Sequence, residues 1–141
     1  MRKVFSGGVI GTAVMTFMMY FVRPIIVDEP MDIAAKIGSM MGNNWALGMA
    51  VHLMIGAVIV PIIYAMILYK ILPGPTMVKG VLTGIGMWLL TMTVTMPMMG
   101  EGFFLSESGG SPKAIVAAFM VHAIYGALLG KVGGELKQQS S

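Results

Sequence analysis

Residues 45–69 read WALGMAVHLMIGAVIVPIIYAMILY, from Trp45 to Tyr69, and contain no Asp, Glu, Lys or Arg. A run of that length exceeds the ~20 residues a helix needs to cross the ~30 Å hydrocarbon core of a bilayer. In hydrocarbon each backbone N–H and C=O must be satisfied internally, so a single span of this kind is a helix. Trp45 marks one interface. Outward in both directions, Val4–Val22, Val78–Met99 and Pro112–Val132 repeat the pattern. The sequence therefore predicts an all-α protein, a transmembrane four-helix bundle with spans at about 4–22, 45–69, 78–99 and 112–132.

With 57% hydrophobic and 11% charged residues in 141, little chain remains for a soluble domain. Residues 1–141 are read as one transmembrane domain in contact with the lipid bilayer. Met1-Arg2-Lys3 before an apolar run imitates a signal peptide, but the run continues to Tyr20, Arg23 and Pro24 without a small-residue cleavage site. It is read as a retained first span. The absence of cysteine excludes disulfides, thiolate metal sites and a cysteine nucleophile.

Charge is distributed by loop. Arg2, Lys3, Lys70, Lys79, Lys131 and Lys137 fall at one side. Arg23, Lys36 and Lys113 share the other with Asp28, Glu29, Asp32, Glu101 and Glu107. The positive-inside rule then puts both termini in the cytoplasm. The net charge of +3 belongs to this segregation and not to a nucleic-acid surface. In the first loop, residues 31–41 predict a short amphipathic helix on the outer surface, ended by Gly42 and Asn43. Leu72-Pro73-Gly74-Pro75 predicts a compact turn. Phe103, Phe104 and Leu105 in the third loop are expected to dip back into the interface, and residues 138–141 to form a frayed tail. The outer acids are read as solvated loop charges, and Arg23 as a snorkelling anchor or a partner for Asp28.

Two near-matching frames stand out, Val51-His52-x-x-x-Gly56 and Val121-His122-x-x-x-Gly126. Each histidine falls about 12–14 Å down its helix from the nearest polar marker, at 1.5 Å per residue. Polar groups at such depth are costly, with charged ones at roughly 2.5–3.5 kcal/mol, and usually have partners. The halves also match. A shift of 73 lays Gly7, Gly11, Met19 and Pro24 on Gly80, Gly84, Met92 and Pro97, and a shift of 70 lays His52 and Gly56 on His122 and Gly126. This predicts two parallel helical-hairpin repeats, with the second and fourth spans diagonal neighbours. Two imidazoles facing each other across that diagonal suit bis-histidine haem b ligation. The small residues Gly48, Gly56, Ala118 and Gly126 would leave room, and Tyr125 lies on nearly the same face as His122.

The other readings are kept beside it. Each histidine can instead bond a threonine, tyrosine or carbonyl on a neighbouring helix. Copper is the alternative cofactor, with Met98 and Met99 joining His52, because soft thioethers beside imidazole bind Cu(I). Most of the 17 methionines are read as apolar filler. Thr12, Thr16, Thr91 and Thr95 can bond back to their own helices. Glycines four residues apart, at Gly7 and Gly11, Gly80 and Gly84, and Gly126 and Gly130, are read as helix-packing faces. No Walker loop, serine-centred nucleophile motif or His-Glu-x-x-His signature is present, so hydrolytic catalysis lacks its parts. Three functions follow from these residues: a haem or metal protein for electron transfer within a redox complex, a non-catalytic accessory or scaffold subunit, or a small channel or carrier. Other membrane subunits or a homo-oligomer are the expected partners.

The chain also resembles an uncharacterised family of small four-helix bacterial membrane proteins, known as a domain of unknown function. The resemblance rests on Gly11-Thr12-Ala13-x-Met15-Thr16, Pro30-Met31, Gly42, Gly48-x-x-x-His52-x-x-x-Gly56, Tyr64-Ala65, Leu72-Pro73-Gly74-Pro75, Trp88, Met96-Pro97-x-Met99-Gly100 and His122-x-x-Tyr125-Gly126. It implies four spanning helices over nearly the whole chain and transfers no catalytic residue. The polar stretch from Glu107 to Ser111 departs from the pattern.

Overall fold

The computed structural model describes residues 1–27, 32–107 and 112–136. The chain runs through α1 (Arg2–Ile26), a short α2 (Ile33–Ser39), α3 (Trp45–Ile71), α4 (Thr76–Met98) and α5 (Pro112–Gly133), with no strand among the described residues. α1, α3, α4 and α5 are each long and apolar enough to cross a membrane, so the chain is an integral membrane protein by length and composition. Large side chains such as Phe17, Phe21, Ile25, Met54, Ile67 and Leu90 remain exposed along the spans, as expected of surfaces facing lipid.

Three of the four spans are not regular. In α1, α3 and α4 one turn widens to a π-type turn, at Met18–Val22, Ile55–Ile59 and Thr91–Thr95. A proline explains each. Pro24, Pro61 and Pro97 have no N–H and their rings crowd the carbonyl four residues back. In each case the residue just before the proline donates five residues back: Arg23 to the Met18 carbonyl, Val60 to Ile55 and Met96 to Thr91. The helix continues past the proline by adding one residue to a turn. α3 has a further wide turn at Tyr64–Leu68 without a proline.

The glycines bring the spans together. α5 packs against both α1 and α4, α1 also packs against α3, and α3 meets α4 beside their connecting turn. A Cβ on Gly80 would strike the Gly126 carbonyl, and one on Gly126 the Gly80 carbonyl; Gly84 lies against the His122 carbonyl and Gly130 against that of Thr76. Gly7 and Gly11 lie against Leu129 and Tyr125, while Gly8 and Gly56 meet Pro61 and Thr12 between α1 and α3. The four-residue glycine spacing is therefore used within this chain. Thr12, Thr16 and Thr91 bond back to the carbonyls of Gly8, Thr12 and Met87, as their spacing predicts.

The first loop folds onto the start of α3. Gly48 sits so close to the Ala34 carbonyl and Gly38 that α2 lies directly against α3. Asp32 caps α2: its carboxylate accepts from the Ala35 N–H at 3.1 Å, from Trp45 Nε1 at 2.8 Å and from the Tyr20 hydroxyl. Burial pushes this carboxyl up, but the hydrogen bonds from Tyr20, Ala35 and Trp45 outweigh it and hold it below its ordinary value. A depressed carboxyl stabilises the fold above its unfolded-state pKa and loses that contribution as pH falls through the folded-state value. Asp32→Ala is accordingly expected to cost about 0.5–2 kcal/mol at neutral pH. Thermal unfolding in detergent should show the deficit shrinking as pH falls below the carboxylate range.

Asp28, Glu29, Met31, residues 108–111, Lys137 and the 138–141 tail lie outside the described residues.

Candidate functional site

A cavity of about 280 Å³ lies between the spans, and His52 of α3 and His122 of α5 both line it. The wide turns surround it. Met19, Ile55, Gly56, Thr91, Met92 and Thr95, all within the proline-linked turns, are on its wall. A helix that takes in an extra residue bulges locally, so the turns widened by the three prolines shape the wall of the cavity.

The first and third loops cover one end. Ile33 and Ile37 of α2 and Leu105 of the third loop reach the cavity. Lys36 pairs with Glu101 and so ties α2 to that loop. Phe104 and Leu105 take the left-handed region at φ of 50° and 62°, which aims Leu105 inward to 6% exposure while Phe103 stays 63% exposed. Phe104 packs edge-on against Trp88, whose indole N–H donates to the Ile115 carbonyl at 3.2 Å. Leu105 of this loop thus turns into the protein, onto the cavity. Arg23 is also on the cavity wall at 6% exposure, engaged in an interaction of its own. Burial corrects its reading as a snorkelling anchor.

Hydrogen bonding fixes the ring nitrogens. His122 Nδ1 lies 2.7 Å from the Ala118 carbonyl, which can only accept, so Nδ1 carries the proton and Nε2 of the neutral ring keeps a lone pair. His52 Nε2 lies 3.0 Å from Thr16 Oγ1, which is itself 2.7 Å from the Thr12 carbonyl. With the Thr16 hydroxyl donating to that carbonyl, His52 donates from Nε2 and its Nδ1 holds the lone pair. An imidazole whose second nitrogen is tied to an oxygen acceptor is the usual arrangement of a metal-ligating histidine. The threonine bond is equally the interhelical contact expected of a polar group in an apolar span.

Of the other residues singled out from sequence, Gly56, Ala118 and Tyr125 line the cavity, and the Tyr125 hydroxyl donates to the Gly56 carbonyl. Gly48 and Gly126 do not; their open sides are filled by α2 and by Gly80. Met98 is 67% exposed, and neither it nor Met99 reaches the cavity. The methionines that do are Met15, Met19, Met87, Met92 and Met96. Sequence reasoning did not set these five apart from filler, although the spacing of Met15 with Met19 and Met92 with Met96 puts each pair on one helix face. It also left Pro61 and the widening effect of the prolines unused. Among the described residues, no group of three or more His, Cys, Asp or Glu side chains is arranged to hold a metal ion. Any ion here would need other donors.

The chain belongs to a family described as a family of unknown function (DUF6789), which matches residues 1–141. No curated protein and no solved structure matches it.

Proposed function

We propose that this member of the DUF6789 family holds a metal centre between its membrane spans, with His52 and His122 as ligands, and serves electron transfer within a membrane redox complex. One observation carries the reading: two histidines 70 positions apart line the same cavity, each with one ring nitrogen tied back and the other left as a lone pair. A haem b iron is one group that such a pair would hold, and when bound it supplies one-electron chemistry. The donor set fits. Room is the tighter condition, since about 280 Å³ lies just below the usual small-molecule range of ~300–1,000 Å³. The flexible methionines on the wall are the side chains able to yield.

The same reading makes the molecule a four-helix bundle of two parallel hairpin repeats in a bacterial inner membrane, with both termini cytoplasmic. Support comes from the packing of α5 on α1 and α4, the matched glycines and prolines, and the loop charges. An accessory or scaffold role ranks below it because the glycine faces that would dock a partner helix are occupied within the chain. A channel or carrier has the cavity in its favour but no charged relay through the spans.

The test is the visible spectrum, oxidised and dithionite-reduced, of protein purified gently from its native membrane. A haem band abolished by His52→Ala or by His122→Ala is the expected result for haem b. A featureless spectrum from folded protein removes haem, and metal analysis of the same three samples then decides whether the histidines hold a bare ion.

A further inference from the structure

Resting on that histidine reading, we infer that the centre is a Cu(I) site whose ligands are His52, His122, Met19 and Met92. The described methionines differ in burial. Met54, Met66, Met98 and Met120 are exposed along the spans, as filler facing lipid would be, and Met18, Met49, Met87 and Met99 are half-buried. The buried ones are Met15, Met19, Met92 and Met96, and all four line the cavity. They form one pair on α1 and one on α4, each at a spacing of four, while the histidines come from α3 and α5. Thioether and imidazole are thus contributed by different spans. Met19 and Met92 also occupy equivalent places in the two halves of the sequence, as do His52 and His122, so the four donors form two matched pairs.

The packing registers bring these donors into one stretch of the bundle, around one cavity. His52 bonds Thr16, the neighbour of Met15 and one turn from Met19. Gly84 lies against the His122 carbonyl, and the His122 ring turns back toward Ala118, the direction in which α4 continues toward Met87 and Met92. Met19 and Met92 each lie inside a wide turn next to a proline.

The chemistry of the set then selects the ion. Thioethers are neutral and soft, imidazole is neutral and suits copper as well as harder ions, and among the described residues no carboxylate lines the cavity, whose one charged wall residue is the cation Arg23. Hard divalent ions prefer oxygen ligands, whereas soft sulfur ligands favour Cu(I). Neutral ligands leave the ion's full charge in hydrocarbon, a penalty that a monovalent ion minimises. The cavity is larger than one ion, and methionine, with three rotatable bonds, is the side chain able to close onto it.

Detergent-purified protein is to be loaded with Cu(I) anaerobically against bicinchoninate as competing chelator, with X-ray absorption at the copper edge reporting sulfur and nitrogen neighbours. Wild type is expected to retain one Cu(I) with both kinds of neighbour. Met19→Leu with Met92→Leu keeps apolar volume, and unfolding temperature checks its fold. Since loss of even an outer-shell partner costs about 10–100-fold in metal affinity, the double variant should bind copper at least about tenfold more weakly and lose its sulfur signal. Copper binding that needs the histidines but ignores both methionines, or a histidine-dependent haem band in the native protein, would overturn the copper inference and leave the histidine centre standing. Folded protein that keeps neither copper nor haem would sink both.

Discussion

Replacing Gly80 by alanine is expected to destabilise the protein by about 1–3 kcal/mol, the usual cost of forcing atoms into a filled interior, and replacement by leucine to prevent folding. The added Cβ has nowhere to go. It would meet the Gly126 carbonyl and the Gly130 backbone, which are held in a regular helix and cannot swing aside as a side chain would. Gly86 is the matched control on the same helix, with nothing within 4 Å of a Cβ built there. Gly86→Ala should change stability by no more than about 0.5 kcal/mol against packing, with alanine's better helix propensity adding slightly in its favour. Unfolding in mixed micelles, followed by far-ultraviolet circular dichroism, measures both. Equal effects at the two positions would mean that α4 and α5 do not approach through Gly80.

That contrast also marks what the sequence can disclose. Span existence was legible because apolar length is a one-dimensional quantity, and the observed ends fall within four residues of those expected. The glycine spacing correctly indicated packing faces, but not whether the opposing backbone belonged to this chain or to a partner. His52 and His122, which line one cavity, were legible as candidates because a polar group in a long apolar run is conspicuous. The methionines were not: Met98 and Met19 are the same residue type in similar apolar surroundings, but Met19 lies within the wide turn before Pro24 and Met98 beyond the one before Pro97, so no single 3.6-residue period assigns both their faces. A wide turn shifts the helix phase by about one residue, or 100°. Counting in periods of 3.6 through a proline therefore loses the face on its far side. Gly48 was misread for another reason: the expected loop helix packs on the start of α3 and fills the space beside it, a tertiary contact that the helix's own pattern does not disclose.

Pro61 also creates a debt that Tyr125 settles, and Tyr125→Phe is expected to lower stability by about 1–3 kcal/mol, the cost of stranding a buried acceptor. Within α3, the Gly56 carbonyl would ordinarily accept from Val60, but that N–H is directed to Ile55. The next residue, Pro61, has no N–H to offer. The carbonyl is thus left without a helical donor, and the fully buried Tyr125 supplies one from α5. In hydrocarbon no water replaces the lost hydroxyl, which is why a single bond has this weight. Tyr69 provides the comparison: its hydroxyl accepts from the Leu136 N–H near a chain end, and Tyr69→Phe should cost less than about 1 kcal/mol. Hydrogen exchange locates the effect, because faster exchange in Tyr125→Phe should concentrate in residues 52–60, around the wide turn that borders the cavity. A loss spread evenly over all four spans would instead mean that Tyr125 acts through general packing, and the cavity wall would then have to be held by the proline-widened turn itself.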